Sequence, residues 1–177
     1  MAGMERRNPP FILRRAAPDD AEAIADCHRE AVTKKAAAFY GADLIDEWAW
    51  SADRLDKIRG EIQNQDYIYL VATSGDCILG YGIANPSGLE LKSLCARPNK
   101  KGRVGTALLA ALLDQCKNRG CAYLDSSSSL NAEKFYLQHG FRVLQKGQHI
   151  MESGHVMQCI KMRIVLHRSE NPSASAP

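Results

Sequence analysis

The stretch KSLCARPNKKGRVGTALLAALLDQCKNRG, residues 92–120, decides the fold of this chain. It begins as a short apolar strand, passes through a basic loop that contains Gly102 and Gly105, and continues as an apolar helix. Backbone amides at the start of a helix lack intrahelical partners, and the helix dipole adds a partial positive charge there. With Lys101 and Arg103 nearby, this helix start predicts a binding site for a phosphate-bearing ligand.

The helix itself is predicted from the spacing of its apolar residues and from its ends. Gly105 and Thr106 offer a start, and Gly120 stands where a left-handed cap is needed. The residues that recur on one helical face are Leu108, Leu109, Leu112, Leu113 and Cys116. A glycine-rich loop also occurs in ordinary turns, so this stretch alone leaves the simpler interpretation of a solvated turn open.

Composition narrows the class of protein. A length of 177 residues with 45% hydrophobic and 24% charged residues predicts one globular domain. A net charge of +3, with no basic stripe, argues against nucleic-acid binding. The six cysteines form no C-x-x-C pair, which predicts reduced thiols and no metal site. The sequence shows neither a signal-like apolar segment nor a stretch long enough to span a membrane. We therefore expect a cytoplasmic protein that does not bind membranes.

Outward from the central stretch, the patterns predict alternating strands and helices. Before the loop we expect a strand (11–16), helices that start at Pro18 and at Ser51, and three antiparallel strands (67–73, 77–84 and 89–96). After the helix we expect a strand (122–126) parallel to 89–96, a short helix capped by Asn131 and Gly140, and a hairpin (141–150 and 155–165). Residues 1–10 are predicted to be a flexible arm and 167–177 a disordered tail, which leaves 11–166 as a single domain.

Three segments in this order resemble a known family. They are LCARP (94–98), KKGRVGTALL (100–109) and SLNAEKFYLQHGF (129–141). Together with the element order they resemble the GNAT superfamily of acetyl-CoA-dependent N-acetyltransferases, in particular its small bacterial members. The resemblance covers nearly all of 11–166 and implies an α/β GNAT fold with a mixed central sheet and flanking helices. It also implies acetyl-CoA as the cosubstrate and no metal.

The resemblance implies which residues hold the cofactor. The pyrophosphate would be bound by the loop and helix start, namely Lys101, Gly102, Arg103, Val104, Gly105 and Thr106. The pantetheine arm would pair with the exposed backbone of Leu94, Cys95 and Ala96. Asn131 matches an asparagine that reaches this arm, although a plain helix cap explains it as well. The loop departs from the family pattern, because it is one residue shorter or has Arg103 in place of a glycine.

The resemblance also suggests how the reaction proceeds. Tyr136 would protonate the departing thiolate, since a phenol of pKa about 10 can do so for a thiol of pKa about 8.5. Phe135 would then point to the core. Glu90 is the acid best placed to act as a base, although strand carboxylates are more often simply exposed. His28, His139 and His155 are lesser candidates for the same role. The amide of Cys95 is expected to meet the oxyanion.

The acceptor is the least defined part of the prediction. Tyr40 and Trp48 are expected to wall its site, together with Trp50, or else to plug one end of the core. The sequence thus predicts direct acetyl transfer to a primary amine, on a small molecule or a peptide, in a ternary complex. A non-catalytic acyl-CoA sensor and a partner-binding module remain alternatives. A homodimer through the closing hairpin is compatible with the resemblance.

Overall fold

The computed structural model describes residues 11–51, 53–98 and 103–166. The strands are β1 (Ile12–Arg15), β2 (Ile68–Ser74), β3 (Cys77–Asn85), β4 (Glu90–Ala96), β5 (Tyr123–Ser129), β6 (Arg142–Ile150) and β7 (Val156–Val165). The helices are α1 (Ala21–Ala31), α2 (Ala42–Ala49), α3 (Arg54–Gln63), α4 (Val104–Asn118) and α5 (Glu133–Gln138). The predicted arm and tail, and the loop residues Lys101 and Gly102, lie outside the described residues.

The described strands form one mixed sheet in the order β1-β2-β3-β4-β5-β7-β6. One face packs against α4 through the leucines at 108, 109 and 112, all at most 1% exposed. The other face packs against α1 and α3 through Ile24 and Ile58. The predicted antiparallel run of β2, β3 and β4 is confirmed. The helix α2 was not predicted, because the sequence from 33 to 50 shows no regular pattern.

Two glycines on β3 set how closely α4 approaches the sheet. A Cβ placed at Gly82 would lie 2.6 Å from Cδ1 of Leu112, and one at Gly80 would lie 2.8 Å from Cγ1 of Val104. Both distances are shorter than packed carbon atoms allow. Glycine in a strand therefore serves here as a site of close packing, which keeps the start of α4 against β3 and β4.

The variant Gly82→Ala is expected to lower the free energy of unfolding by about 1–3 kcal/mol, because the added methyl group overpacks a buried contact. Gly60 in α3 is the matched control, since a Cβ there meets nothing within 4 Å. Gly60→Ala should instead stabilise the protein by up to about 1 kcal/mol, because alanine suits a helix interior better than glycine. Denaturant unfolding of the two variants measures both values, and equal effects would contradict this account.

The strands β4 and β5 run parallel, as predicted, but they pair at one position only. Glu90 lies opposite Asp125, whose amide donates to the carbonyl of Leu89 at 2.8 Å. The pairing of β4 with β3 skips Lys92, which is the extra residue of a β-bulge. A bulge bends its strand, so β4 turns away from β5 beyond Glu90 and a gap opens in the middle of the sheet.

The ends of the helices match the sequence at their C-termini and differ at two N-termini. Gly120 and Gly140 have φ values of 84° and 90°, which confirms the predicted left-handed caps. Asn131 lies inside a short 3₁₀ turn, Leu130–Ala132, and makes no capping hydrogen bond. The Ser51 hydroxyl donates to the side chain of Asp53, the residue before α3, and does not cap the helix. The two predicted N-caps, Asn131 and Ser51, are therefore wrong.

Candidate active site

A cleft of about 730 Å³ opens where β4 and β5 separate. It is bounded by the start of α4, by α5, and by α1 with the turn of π-helix that follows it, Val32–Ala36. It brings together these predicted residues: Trp48, Glu90, Leu94, Cys95, Ala96, Arg103, Val104, Gly105, Thr106, Asn131 and Tyr136. The described residues of the predicted cofactor site therefore converge on one cavity.

The start of α4 forms one wall of this cleft. Its first backbone bond to the preceding turn is donated by the Ala107 amide to the carbonyl of Arg103, at 2.9 Å. The amides of Val104, Gly105 and Thr106 precede that bond, and no side chain in the described ranges caps them. These N–H groups have no partner among the described residues, and together with the positive end of the helix dipole they suit an anion.

The side chain of Thr106 is committed elsewhere. His139 Nδ1 lies 2.7 Å from the carbonyl of Phe135, and its Nε2 lies 3.1 Å from the hydroxyl of Thr106. Because a carbonyl only accepts hydrogen bonds, Nδ1 of a neutral ring must donate, and Nε2 then accepts the proton of the hydroxyl. Thr106 is thus left to offer its backbone amide to a ligand, while His139 ties α5 to the start of α4.

Phe135 closes the space beside Gly105. A Cβ at Gly105 would lie 3.6 Å from two carbon atoms of the Phe135 ring. The ring also packs against the main hydrophobic core, so it belongs both to that core and to the lining of the cleft. The prediction that Phe135 simply points to the core is therefore incomplete, because its ring forms part of the cleft wall.

The register of β4 decides which of its amides face the cleft. The Arg97 amide donates to the carbonyl of Leu79 on β3, at 2.8 Å. Backbone groups alternate along an antiparallel pair, so Cys95 also points its amide at β3, while Leu94 and Ala96 point theirs away from it. The prediction for the Cys95 amide is corrected accordingly. The outward direction of Ala96 agrees with its carbonyl, which accepts a hydrogen bond from Lys35 at 2.7 Å.

Asn131 presents a buried oxygen that has no hydrogen-bond partner among the described residues. The atom is Oδ1, and its residue lines the cleft. Leaving a buried polar atom unpaired costs roughly 1–3 kcal/mol. The cleft therefore contains an acceptor that a ligand with an N–H or O–H group can satisfy.

Tyr136 lines the same cleft and is only 5% exposed. Its ring lies between Phe135 and Phe141, with centroid distances of 5.4 and 5.0 Å. Burial, with a smaller contribution from the nearby Cys95, raises the pKa of Tyr136 above its usual value. The phenol therefore stays protonated at neutral pH, as a proton donor must.

Glu90 lies at the closed end of the cleft, where β4 and β5 still pair. Its side chain is exposed. Five residues separate it from Cys95 along β4, which corresponds to roughly 16 Å in an extended strand. An amine held beside Cys95 is too distant for Glu90 to contact it directly.

The predicted aromatic wall divides into three separate roles. Trp48 lines the cleft. Tyr40 does not, because its hydroxyl donates to the carbonyl of Gln158 and accepts from the amide of Leu130, both at 2.8 Å. Trp50 is 60% exposed. Of the three, Trp48 alone is placed to contact a ligand in the cleft.

Sequence patterns did not single out several polar residues of the cleft. They are Ser93, Ser126, Ser127, Ser128, Ser129 and His149; His28, a lesser candidate for the base, lines the cleft as well. His28 is the most deeply placed of the titratable ones, at 5% exposure on α1. The run of four serines was visible in the sequence, but the predicted strand ended at residue 126, whereas β5 continues to Ser129 and borders this polar cavity.

No group of three or more His, Cys, Asp or Glu residues is arranged to hold a metal ion in the part of the chain that the structure describes. Among the same residues, no helix has both the length and the apolar character needed to cross a bilayer.

The chain is similar in sequence to one protein family and in structure to several solved proteins. The family model of the acetyltransferase (GNAT) domain matches residues 25–166. No curated protein matches the sequence. The fold is that of a GCN5-related N-acetyltransferase from Rhodopseudomonas palustris, at 25% identity and a TM-score of 0.80, over 93% of this chain and 100% of the other.

Two structures solved with a cofactor share the fold at lower identity. One is the PaiA N-acetyltransferase of Thermoplasma acidophilum in complex with coenzyme A, at 19% identity and a TM-score of 0.72, over 88% of this chain and 98% of the other. The second is a putative acetyltransferase from Salmonella typhimurium with its cofactor acetyl-CoA, at 22% identity and a TM-score of 0.63, over 93% and 99%. The predicted GNAT fold is thus confirmed.

Proposed function

The chain belongs to the GNAT acetyltransferase family, and from that premise we propose that it transfers the acetyl group of acetyl-CoA directly to a primary amine in a ternary complex. The observation that carries this proposal is the uncapped start of α4 at the wall of the cleft. The amides of its first three residues, which have no partner among the described residues, suit a pyrophosphate, whose oxygens are strong acceptors. Two proteins of the same fold were solved with coenzyme A or acetyl-CoA, which supports the choice of ligand.

The rest of the cofactor would follow the gap between β4 and β5. Its pantetheine arm carries amide groups that can pair with the outward backbone of Leu94 and Ala96, as a further strand would. The unpaired Oδ1 of Asn131 would accept one N–H of that arm. Arg103, at the mouth of the cleft, would add a guanidinium contact to a phosphate.

The chemistry then requires few groups. The neutral amine attacks the thioester carbonyl carbon, and an outward amide of Leu94 or Ala96 would stabilise the negative oxygen of the tetrahedral intermediate. The C–S bond breaks, and the departing thiolate takes a proton from Tyr136. The proton lost by the new amide restores the phenol, so the products are the acetylated amine and coenzyme A.

Calorimetric titration of the protein with acetyl-CoA and with CoA tests the cofactor, and we expect micromolar dissociation constants for both. Release of free thiol is then followed with four amines, namely L-lysine, spermidine, kanamycin and a peptide with an N-terminal alanine. Turnover of any of them supports the transfer reaction. Failure to bind acetyl-CoA would overturn the proposal. Binding without turnover would favour the alternative of a non-catalytic acyl-CoA sensor.

A further inference from the structure

A chain of hydrogen bonds runs from the interior to the wall of the cleft. Nε2 of His28 lies 3.0 Å from the carbonyl oxygen of Trp48, and Nδ1 lies 2.8 Å from the hydroxyl of Tyr81. The Tyr81 oxygen lies 3.4 Å from the hydroxyl of Ser93 on β4. His28 and Tyr81 are 5% and 4% exposed, so the chain is shielded from water until it reaches Ser93.

The first link of this chain can have only one direction. The carbonyl of Trp48 accepts hydrogen bonds and cannot donate them, and it already receives one from Arg54 at 2.5 Å. Nε2 of His28 must therefore carry the proton. Burial, and then the positive charge of Arg54, lower the pKa of His28 to about 4, so the ring is neutral near pH 7 and its Nδ1 is an acceptor.

The direction of the remaining links follows from the first. Since Nδ1 of His28 accepts, the Tyr81 hydroxyl donates to it. The Cys95 thiol, 4.0 Å from Nδ1, is the more distant and weaker donor. Having used its only proton, Tyr81 can only accept from Ser93. The Ser93 hydroxyl proton is thereby directed at Tyr81, which leaves the lone pairs of this cleft-lining oxygen for other donors.

Ser93 stands next to the reacting centre of the proposed reaction. It lies two residues from Cys95 on β4, about 7 Å along the strand, and both side chains lie on the face of the sheet that α1 covers. Both also line the cleft. An amine that approaches the thioester from this side meets the lone pairs of Ser93 before it reaches the carbonyl carbon.

We propose that the relay from Trp48 through His28 and Tyr81 makes Ser93 a hydrogen-bond acceptor for the incoming amine. An N–H of the amine donates to Ser93, and the nitrogen lone pair is thereby directed at the thioester carbonyl. The relay transfers no proton, and His28 and Tyr81 are positioning residues that act through Ser93. This inference rests on the proposed function, and it assigns to Ser93 the recognition of the nitrogen that Glu90 is too distant to contact.

Tyr81→Phe tests the relay, because it keeps the ring that packs on Tyr69, at a centroid distance of 5.9 Å, and removes the hydroxyl that orients Ser93. With the best of the four amines named above, kcat/KM for the amine should fall about fivefold to tenfold, the loss of one hydrogen bond. The dissociation constant of acetyl-CoA should stay unchanged. Tyr69→Phe removes a hydroxyl from the same core outside the relay, and it should leave both values unchanged.

The double variant decides whether the two residues act together. Ser93→Ala should match the loss caused by Tyr81→Phe, and the combination should cost no more than Ser93→Ala alone. Ser93→Thr, which keeps the hydroxyl, should restore most of the activity. Losses that multiply in the double variant, or an unchanged kcat/KM in Tyr81→Phe, would overturn the relay while leaving acetyl transfer intact. If the native protein binds no acetyl-CoA, the proposed function itself has failed.

Discussion

Gly105→Trp is expected to abolish the binding of acetyl-CoA. Gly105 is the second residue of α4, and its amide is one of three that no side chain caps. A Cβ there already lies 3.6 Å from the Phe135 ring, so an indole either displaces that ring or occupies the cleft beside the start of the helix. Each hydrogen bond to a charged phosphate contributes roughly 1.5–3 kcal/mol, so losing two or more raises the dissociation constant roughly a hundredfold or beyond. Calorimetric titration measures this directly.

Two controls separate this effect from unfolding. Gly60→Trp adds the same side chain to an exposed helical position where a Cβ meets nothing within 4 Å, and it should bind acetyl-CoA as the native protein does. Gly105→Ala adds a methyl group at an ordinary van der Waals distance from Phe135 and should melt at nearly the native temperature. Native affinity in a folded Gly105→Trp protein would show that the start of α4 does not hold the cofactor.

Local signals in the sequence were sufficient to predict most elements of the fold, although α2 was missed. The left-handed caps at Gly120 and Gly140 each depend on a few adjacent residues, and both are confirmed. The crossover from β4 through α4 to β5 depends on a general rule of connection, and it is confirmed as well. The caps depend on residues that are neighbours in the sequence. The crossover depends on the right-handed connection that parallel strands share in nearly all proteins.

The details of the candidate site depend on contacts that are distant in the sequence. The bulge at Lys92 determines which amides of β4 face the cleft. No local sequence pattern predicts this bulge. Asn131 is a residue type that commonly caps helices, but in the structure it lies within a 3₁₀ turn. Tyr40 was predicted to contact the substrate. In the structure its hydroxyl is hydrogen-bonded to the backbone of Leu130 and Gln158, which are distant in the sequence.

His28 is a second residue whose role depends on contacts that are distant in the sequence. In the structure it lies on the buried face of α1, whereas the sequence alone offered it only as a lesser candidate for the base. Its partners, Tyr81 and the Trp48 carbonyl, lie 53 and 20 residues away. The direction of the hydrogen bonds, which gives the residue its proposed role, exists only once these partners are in place.

Tyr136→Phe is expected to lower kcat about a hundredfold while leaving the affinity for acetyl-CoA unchanged. A positioned general acid contributes about a hundredfold or more to the rate. The ring should keep its place, because phenylalanine can occupy the same space between Phe135 and Phe141. Steady-state rates with the best amine, together with calorimetric titration, measure the two quantities. Tyr123→Phe, at a half-buried position where the ring stacks against Arg163, is the matched control and should leave kcat unchanged.

The pH dependence of the native rate tests the same assignment without a mutation. An exposed phenol with a pKa of about 10 begins to ionise above pH 9, and a general acid lost in this way would reduce kcat there. Burial raises the pKa of Tyr136, so its protonated form persists to higher pH and kcat should not fall between about pH 8 and 10. A fall in kcat over that range would contradict the role of Tyr136 as a buried acid. If Tyr136→Phe retained the native rate, the thiolate would instead leave without a proton from the protein.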